Sequence, residues 1–498
     1  MSSQGNVPLV INSMDEELPV ASKECDCACP SPSSPTGLKG IAQERLPAIQ
    51  AQLDSSAYFK PVNQDYQIAF SSSMPLTPVI LNTAACRLAQ MFESPRRIAE
   101  VVKIYAHVDI IPIIAKLVSS RLLRRVPSAS VDPCNDKPTA LVAWLHMSNN
   151  CNLNCTYCYL EKTAEMMLPE IGHAAVEAVF RTAIANDFGK VKIKYAGGEP
   201  TLNFPLIMQL HKQACMLAER HGIGLDEVIL SNGINWTQEM ITAVQECSLR
   251  VMISLDGIGV THDIQRAPTS GNGSCASVIH TIDSLLEGDI IPHISVTITD
   301  QNAEGLPELV GWLLKQGLPF GLNFYRGNEH STAIKDLSLN EARIVAAMRS
   351  AFKVIEANLP RHSLLGCLLD RASLTTPHRY PCGVGRNYLV IEHNGYVAKC
   401  QMKITHPVAT IHDADVLQSV RTDQMDIQNP PVDEKEGCRD CQWRYWCAGG
   451  CPLVTYQATG RYDTKSPNCN IYQALFPEVL RLEGLRLLAQ GMNGTWAD

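Results

Sequence analysis

Three cysteines that directly follow an apolar segment constrain this chain more than any other feature. Cys151, Cys155 and Cys158 form a C-x3-C-x2-C pattern just after the strand-like run at residues 141–146. Three thiolates at this spacing can hold three irons of a [4Fe–4S] cube and leave the fourth iron open to a further ligand. A zinc site is the alternative, but structural zinc favours four ligands and paired C-x2-C units. The pattern therefore favours an iron–sulfur site with one exchangeable corner.

The other cysteines and the charge balance narrow the class of protein. The 498-residue chain has 19 cysteines, and ten of them fall into two sets, at 151–158 and 382–469. Disulfides do not persist in a reducing cytosol, so metal binding is the better explanation for such sets. The net charge of −8 argues against nucleic acid as a partner. Because no signal segment or membrane-spanning stretch is evident, we expect a cytoplasmic protein without a membrane partner.

Local patterns divide the chain into six parts. Residues 1–62 are expected to form a flexible extension, in which Cys25, Cys27 and Cys29 are interpreted as tail cysteines rather than metal ligands. Residues 63–126 predict a small separate domain with a short extended stretch and three helices. A connecting segment follows the central domain at 331–378, with a helix near 340–357. Residues 379–475 are rich in Gly, Pro and Cys, which favours a domain held by metal, and 476–498 are expected to be a tail.

Residues 138–330 alternate strand and helix patterns. Strands are predicted at 141–146, 191–195, 228–230, 251–254, 294–298 and 320–324. Helices are predicted near 170–187, 204–221, 237–247, 275–287 and 306–316. Six such units predict an α/β fold in which right-handed crossovers curl a parallel sheet into a partial (β/α)6 barrel. Reactive residues are then expected at the carboxyl ends of the strands.

Polar motifs follow the second, third and fourth predicted strands. The second strand is followed by Gly197, Gly198, Glu199 and Pro200. Glycines allow the backbone to approach a ligand closely, and the glutamate offers an acceptor for an ammonium group. Ser231 and Asn232 could bind ribose hydroxyls, Ser254 ends the fourth strand, and the fork of Arg266 suits a carboxylate. Two interpretations of His262 and Asp263 stay open, a role towards Arg266 or substrate and a structural pair.

The first cysteine set with its companions resembles the radical S-adenosylmethionine (SAM) superfamily. The resemblance rests on Cys151-x3-Cys155-x-Tyr157-Cys158 and on the Gly-Gly-Glu-Pro motif at 197–200. It implies that the three cysteines are the catalytic ligands of the SAM-binding [4Fe–4S] cluster and that 197–200 hold the methionine end of SAM. It also implies cofactor contacts from Tyr157, Ser231, Asn232, Ser254 and Arg266. Members of the family generate a 5′-deoxyadenosyl radical that abstracts hydrogen from substrate.

The second cysteine set resembles the SPASM extension of radical SAM proteins, which carries auxiliary [4Fe–4S] clusters. The set runs Cys382-x12-Gly395-x4-Cys400, then Cys438-x2-Cys441-x5-Cys447-x3-Cys451 and Cys469. The resemblance assigns Cys438, Cys441, Cys447 and Cys469 to one cluster, and Cys382, Cys400 and Cys451 to the other. The fourth ligand of the latter is left open between Cys367, substrate and solvent. Gln401 replaces an aspartate of sulfatase-maturing relatives, which weighs against that activity, and a pair of zinc ribbons is the alternative.

Residues 63–126 resemble the PqqD-like, winged-helix recognition element of peptide-modifying radical SAM enzymes. The resemblance rests on residues 81–85, 94–98 and 117–123. It implies a domain that binds the leader of a precursor peptide as an added strand. The predicted function is a maturase that installs an oxidative modification, such as a thioether or a C–C crosslink, in a ribosomally made peptide. It would take electrons from a low-potential reductant such as flavodoxin or ferredoxin. The alternatives are a folded protein or small molecule as substrate, and a non-catalytic metal-binding scaffold.

Overall fold

The computed structural model describes residues 7–12, 43–71, 78–127, 134, 137–269, 271, 273–328 and 337–492. Cys25, Cys27 and Cys29 lie outside these residues. The strands are β1 Val10–Asn12, β2 Gln50–Leu53, β3 Ala57–Pro61, β4 Tyr66–Ser71, β5 Val79–Asn82, β6 Arg96–Arg97, β7 Leu123–Arg125, β8 Ala140–His146, β9 Lys190–Ala196, β10 Gly224–Ser231, β11 Arg250–Ser254, β12 His293–Ile298, β13 Phe320–Phe324, β14 Tyr388–Ile391, β15 Tyr396–Ala398 and β16 Ala409–Thr410.

The α-helices surround and connect these strands. They are α1 Thr83–Gln90, α2 Ile98–Ile104, α3 Ile111–Ser119, α4 Pro169–Ala185, α5 Phe204–His221, α6 Gln238–Glu246, α7 Val260–Asp263, α8 Cys275–Glu287, α9 Leu306–Gln316, α10 Glu341–Ala357, α11 Val416–Thr422, α12 Arg444–Cys447, α13 Pro452–Thr459 and α14 Cys469–Met492. In the part of the chain that is described, no helix is long and apolar enough to cross a membrane.

A parallel sheet of six consecutive strands forms the centre of the molecule. Strands β8 to β13 lie side by side in sequence order, each parallel to the next. Helices α4, α5, α6, α8 and α9 alternate with them, and buried Ile193, Ile229 and Ile253 belong to one apolar core with these helices. The predicted α/β partial barrel is therefore confirmed, and all six predicted strands are present.

The cysteine-rich C-terminal region is continuous with this sheet. Strand β14 pairs in parallel with β8, with Leu389 opposite Ala143, and β15 and β16 extend the sheet further. The residues of β14 are all buried. The sequence predicted a domain held by metal rather than by a large core. It did not reveal β14, because a four-residue apolar run carries no period that indicates its distant partner.

The N-terminal folded region begins earlier than predicted. The flexible extension expected at 1–62 instead contains β1, β2, β3 and a 3-10 helix at Gln43–Ala48. Strand β2 pairs with β6 and β7, and β1 pairs with β5. These strands are short and their partners lie far away along the chain, so local periodicity does not reveal them. The result is a four-stranded sheet, β1-β5-β4-β3, beside a three-stranded one.

The prediction of a C-terminal tail at 476–498 is also wrong, because residues up to 492 belong to helix α14. Its Phe476, Leu480 and Leu487 are buried. The helix packs on α10 and on the four-stranded sheet. A Cβ atom on Gly484 would lie 2.5 Å from Val62 Cγ2, so the Val62 side chain packs directly on the helix backbone there. The N-terminal sheet is thereby held against the cysteine-rich region, where the Phe70 and Trp446 rings lie 4.7 Å apart.

Candidate functional site

The loop that carries the first three cysteines leaves the carboxyl end of β8 and is held from two sides. On one side, Thr156 N donates to Gln265 O at 2.9 Å and Asn154 N donates to Ala267 O at 2.7 Å. On the other side, Gly198 N donates to Ser148 O at 2.6 Å and Glu199 N donates to Asn150 O at 2.9 Å. The segments that follow β9 and β11 therefore fix this loop at the mouth of the barrel.

The paired glycines serve this close packing of backbone on backbone. A Cβ atom on Gly198 would lie 2.3 Å from Asn150 O, and one on Gly197, which has φ of 145°, would lie 2.5 Å from Ser148 O. Larger residues are excluded by the chain itself at the entry to the cysteine loop. The sequence attributed the glycines to approach of a ligand, and the structure supplies a second reason for them.

The change Gly198→Ala is expected to lower the free energy of unfolding by about 1–3 kcal/mol, because the added methyl group overlaps a carbonyl oxygen that cannot move alone. Gly189→Ala is the matched control, since a Cβ atom there has no heavy atom within 4 Å. The control is expected to stay within about 0.5 kcal/mol of the parent. Urea unfolding of both variants checks this, and equal midpoints would contradict the packing argument.

The three thiols of the loop are close enough for the charge on one to affect the pKa of another. Burial, together with charges on Cys158 and Cys151, raises the pKa of the Cys155 thiol to about 11. Cys151 Sγ accepts a hydrogen bond from Leu153 N at 3.4 Å, and Asn232 Nδ2 lies 3.7 Å from the same sulfur. Such N–H donors stabilise the thiolate form that an iron–sulfur cluster requires.

The spacing of the sulfurs suits a cube better than a single ion. Among the described residues, no three cysteine sulfurs lie within 4.8 Å of one another. Sulfurs around one tetrahedral zinc would be about 3.8 Å apart, given a Zn–S bond of about 2.3 Å. The three thiols, the adjacent N–H donors and the open mouth of the barrel therefore fit a [4Fe–4S] cluster with one exchangeable iron.

Arg266, predicted to contact the cofactor through a carboxylate, also has a carboxylate partner within the protein. Tyr157 OH donates to Asp256 Oδ2 at 2.5 Å, Arg266 Nη1 donates to Tyr157 OH, and Arg266 Nη1 lies 3.7 Å from Asp256 Oδ2. Arg266 and Asp256 are only 7% and 1% exposed. This buried triad ties Tyr157, and with it the neighbouring Cys158, to the end of β11. Sequence could not reveal the pairing, because Asp256 and Tyr157 are 99 residues apart.

Glu199, Ser231 and Asn232, all predicted cofactor contacts, bond to one another. The Glu199 carboxylate accepts from Thr201 N and Oγ1, from Ser231 Oγ at 2.9 Å and from Asn232 N at 2.7 Å. Burial raises its pKa. Ser231 Oγ also accepts from Gly233 N and Trp236 Nε1, both at 3.0 Å. The Glu199 and Ser231 side chains join the ends of β9 and β10, whereas the Asn232 side chain faces the cysteine loop and donates from Nδ2 to Asn152 Oδ1 at 2.7 Å. Pro200 is buried beside them, and Ser254 is partly exposed at the end of β11.

The structure favours the structural interpretation of His262 and Asp263. Asp256 N donates to His262 Nδ1 at 3.2 Å, and burial lowers the pKa of His262 to about 3, so the ring is neutral. Asp263 Oδ1 accepts from Ser274 N at 2.7 Å and from Cys275 N at 2.8 Å, which caps the start of α8. Both residues shape the segment that supports Arg266.

Three cysteines of the second set line one small cavity. Cys382, Cys400 and Cys451 face it together with Arg326 and Arg371. Burial, together with charges on Cys451 and Cys382, raises the pKa of Cys400 to about 12.

The charges around this cavity are mostly positive. Arg326 Nη2 forms two bonds to the Asp370 carboxylate, at 2.6 and 2.8 Å. The Nε and Nη1 atoms of Arg371 are buried without a hydrogen-bond partner among the described residues. Cys367 is not among the described residues that line the cavity, and its Sγ lies 3.5 Å from Leu364 O.

The other four cysteines of the second set form a separate group. Burial, together with charges on Cys438, Cys441 and Cys469, raises the pKa of Cys447 to about 12. Trp443 N donates to Cys441 Sγ at 3.4 Å, and Gln473 Nε2 donates to Cys469 Sγ at 3.5 Å. The structure thus brings together the same sets of four and three thiols that the resemblance assigned to two clusters.

Two residues that the sequence did not identify lie close to the thiol groups. The partly buried Tyr159 packs in one apolar cluster with Cys158 and Cys400, and burial together with charges on these two thiols raises its pKa. Lys435 is 1% exposed, and its Nζ donates to Ala448 O at 2.9 Å. It interacts electrostatically with thiols of both groups of the second set, most strongly with Cys438 and Cys382. A lysine in a polar, aperiodic stretch gives no sequence signal of such burial.

A further donor group lies away from the thiols. His211 Nδ1 lies 2.7 Å from Glu227 Oε2, and Tyr195 OH donates to Glu227 Oε1 at 2.6 Å. Cys215 Sγ is 3.8 and 3.7 Å from the two ring nitrogens, so it lies beside the ring rather than along one lone pair. This geometry is that of a hydrogen-bond network that joins α5 to β9 and β10.

Comparison with known proteins gives one family match. Residues 145–313 match the Radical SAM superfamily. Fe-coproporphyrin III synthase of Methanosarcina barkeri is 29% identical over 228 residues, 44% of this chain and 53% of that protein. The sporulation killing factor maturation protein SkfB of Bacillus subtilis is 24% identical over 267 residues, 52% of this chain and 60% of that protein. The chain therefore spans only half to two thirds of these two relatives.

A solved structure shares the fold over a longer range. Native anSMEcpe with bound AdoMet and Cp18Cys peptide superposes with a TM-score of 0.54 at 17% identity and covers 72% of this chain and 100% of that chain. Over that share of the chain, the fold is thus one found in a solved structure.

Proposed function

We propose that this chain, which contains a radical SAM domain at residues 145–313, is a peptide maturase that oxidises a ribosomally made precursor. The observation that carries the proposal is the loop of three thiols at the barrel mouth, followed by two further thiol groups in the C-terminal region. Cys151, Cys155 and Cys158 would hold the SAM-binding cluster, and the groups of three and four thiols would each hold an auxiliary [4Fe–4S] cluster. When bound, the first cluster supplies the electron that cleaves SAM to methionine and a 5′-deoxyadenosyl radical.

The residues around the thiols have roles that follow from their contacts. The triad of Tyr157, Asp256 and Arg266 holds the cysteine loop rigid, and rigid support is what keeps reacting groups aligned. The N–H donors at Cys151 and Cys441 favour thiolates. The positions of Tyr159 and Lys435 exclude water close to the thiol groups. Such a series of sites would accept the surplus electron of an oxidation, while flavodoxin or ferredoxin would supply the first electron.

A peptide substrate is supported by the relatives and by the N-terminal domain. SkfB is named as a maturation protein, and anSMEcpe was solved with a peptide bound. In this chain the N-terminal sheet packs against the cysteine-rich region, with Tyr58 and Trp443 rings 5.1 Å apart. A PqqD-like role for that domain would bring a bound precursor close to the thiol groups. A thioether and a C–C crosslink would form by the same two steps, abstraction of a hydrogen atom and then loss of an electron.

A small-molecule substrate is the second candidate, because Fe-coproporphyrin III synthase is a relative at 29% identity. The experiment that separates the two uses anaerobically reconstituted protein with SAM and dithionite. We expect 5′-deoxyadenosine, and we expect a short peptide encoded beside this gene to lose two hydrogen atoms when co-expressed, as measured by mass spectrometry. Turnover of a coproporphyrin with unmodified peptide would support the second candidate and contradict the first.

Replacing Lys435 by methionine is expected to lower the reduction potential of the auxiliary clusters. The ammonium group is buried and interacts electrostatically with thiols of both groups, and its positive charge favours the reduced, more negative state. The shift should be on the order of 60 mV for each 1.4 kcal/mol of Coulomb attraction lost. A redox titration followed by EPR measures it. Lys353→Met, on the exposed side of α10, is the control, and equal potentials in the two variants would contradict this role.

A further inference from the structure

An N-terminal segment of the chain covers one edge of the four-stranded sheet. Strand β1 pairs antiparallel with β5, with Val10 opposite Leu81 and Asn12 opposite Val79. Asn82 N donates to Leu9 O at 3.3 Å, and Lys116 Nζ of α3 donates to Val10 O at 3.4 Å. Strand β5 therefore has β4 on one side and this short added strand on the other.

The Asn82 side chain holds the backbone of this segment. Its Oδ1 accepts from Leu9 N at 3.0 Å and its Nδ2 donates to Val7 O at 2.8 Å, while Oδ1 also caps α1 at Ala85 N. These bonds go to main-chain atoms, so they would hold an extended peptide of almost any sequence. Selectivity comes instead from alternate side chains: Pro8 and Val10 are buried, whereas Val7 and Leu9 are exposed.

We propose that residues 7–12 occupy, in cis, a docking site for the precursor peptide, and that an extended segment of that peptide displaces them. The inference rests on the proposed function and names the binding edge. The groove between β5 and α3 takes an extended segment with small apolar residues at every second position, as the seated strand itself demonstrates. Strand β1 is bound only weakly to β5, because a strand of three residues makes few interstrand hydrogen bonds. The chain connects β1 to the rest of the domain through residues 13–42, so the segment acts as a tethered competitor.

The test measures binding of a fluorescent peptide with the sequence of residues 6–13 to the reconstituted chain and to a variant that lacks residues 1–12. We expect the shortened chain to bind the peptide at least about tenfold more tightly, because the fraction of open sites limits apparent affinity. The same peptide with aspartate at the position of Val10 should bind neither chain. Equal affinity for both chains, or no binding to either, would overturn the inference.

Substitutions in the full chain keep the test valid should the shortened chain fold poorly. Val10→Asp places a charge in the buried position and should open the edge, so that peptide binding strengthens and amides of residues 79–82 exchange faster with deuterium. Leu9→Asp, on the exposed face, is the matched control and should leave both unchanged. If the two variants behave alike, the inference is wrong.

Formation of 5′-deoxyadenosine without peptide separates this inference from the proposed function. It should be the same in the parent chain and in the variants, because β1 makes its main contacts with β5, α3 and α14. If the parent chain forms no 5′-deoxyadenosine, the proposed radical chemistry is contradicted. If the variants bind the peptide no more tightly than the parent chain does, only the docking edge is contradicted.

Discussion

Replacing Cys155 by alanine is expected to abolish formation of 5′-deoxyadenosine and to remove about four of about twelve irons per chain. The fourth iron of a cube that binds SAM needs the other three held by protein, so two thiolates are insufficient. The cysteine loop has its own backbone support from residues 265–267 and 198–199. The remaining irons, on the groups of three and four thiols, should therefore be retained.

Cys215→Ala is the matched control, because this cysteine is exposed on α5 and belongs to none of the three thiol groups. It should keep the full iron content and the full yield of 5′-deoxyadenosine. Iron analysis and chromatography of both variants, prepared side by side without oxygen, measure the effect. Retained activity in Cys155→Ala would refute the assignment of this thiol.

Replacing Arg266 by methionine is expected to destabilise the protein by about 3–5 kcal/mol. The change leaves the carboxylate of Asp256, which is 1% exposed, without its cation, and an uncompensated buried charge is costly. It also frees Tyr157, which Arg266 holds next to Cys158. The variant should therefore lose iron from the first cluster faster than the parent during dilution into chelator, in addition to its lower urea midpoint.

An exposed ion pair provides the control for this variant. Arg343 Nη2 lies 2.9 Å from Glu304 Oε1, and the two side chains are 46% and 81% exposed. Arg343→Met should cost no more than about 1 kcal/mol, because solvent already screens this pair. An equal decrease in the free energy of unfolding in the two variants would contradict the stabilising role of the buried triad.

The central fold could be predicted because its signals are local. Each strand from β8 to β13 is an apolar run between helices of regular period, and β13 was predicted at its observed bounds, Phe320–Phe324. The elements that were missed depend on distant partners. Strand β14 is four residues long and completes its pairing with β8 across more than 240 residues, and α14 is stabilised by a sheet at the other end of the chain.

The candidate site divides in the same way. The three cysteine groups follow from spacing and resemblance, and the structure brings those thiols together. The polar companions are predicted to contact a cofactor, and they also have partners in the protein: Glu199 and Ser231 bond to each other, and Arg266 pairs with Asp256. Residue type and position at a strand end do not reveal such partners, because they come from distant parts of the chain. Lys435 and Tyr159 escaped notice because no motif marks them.

Low-temperature EPR of the reduced protein tests the central claim most directly. The claim is that Cys151, Cys155 and Cys158 hold one [4Fe–4S] cluster whose fourth iron is open to SAM. We predict that SAM changes the spectrum of the reduced parent chain and leaves that of Cys155→Ala unchanged. A parent spectrum that is insensitive to SAM, or a variant that responds as the parent does, would contradict the claim.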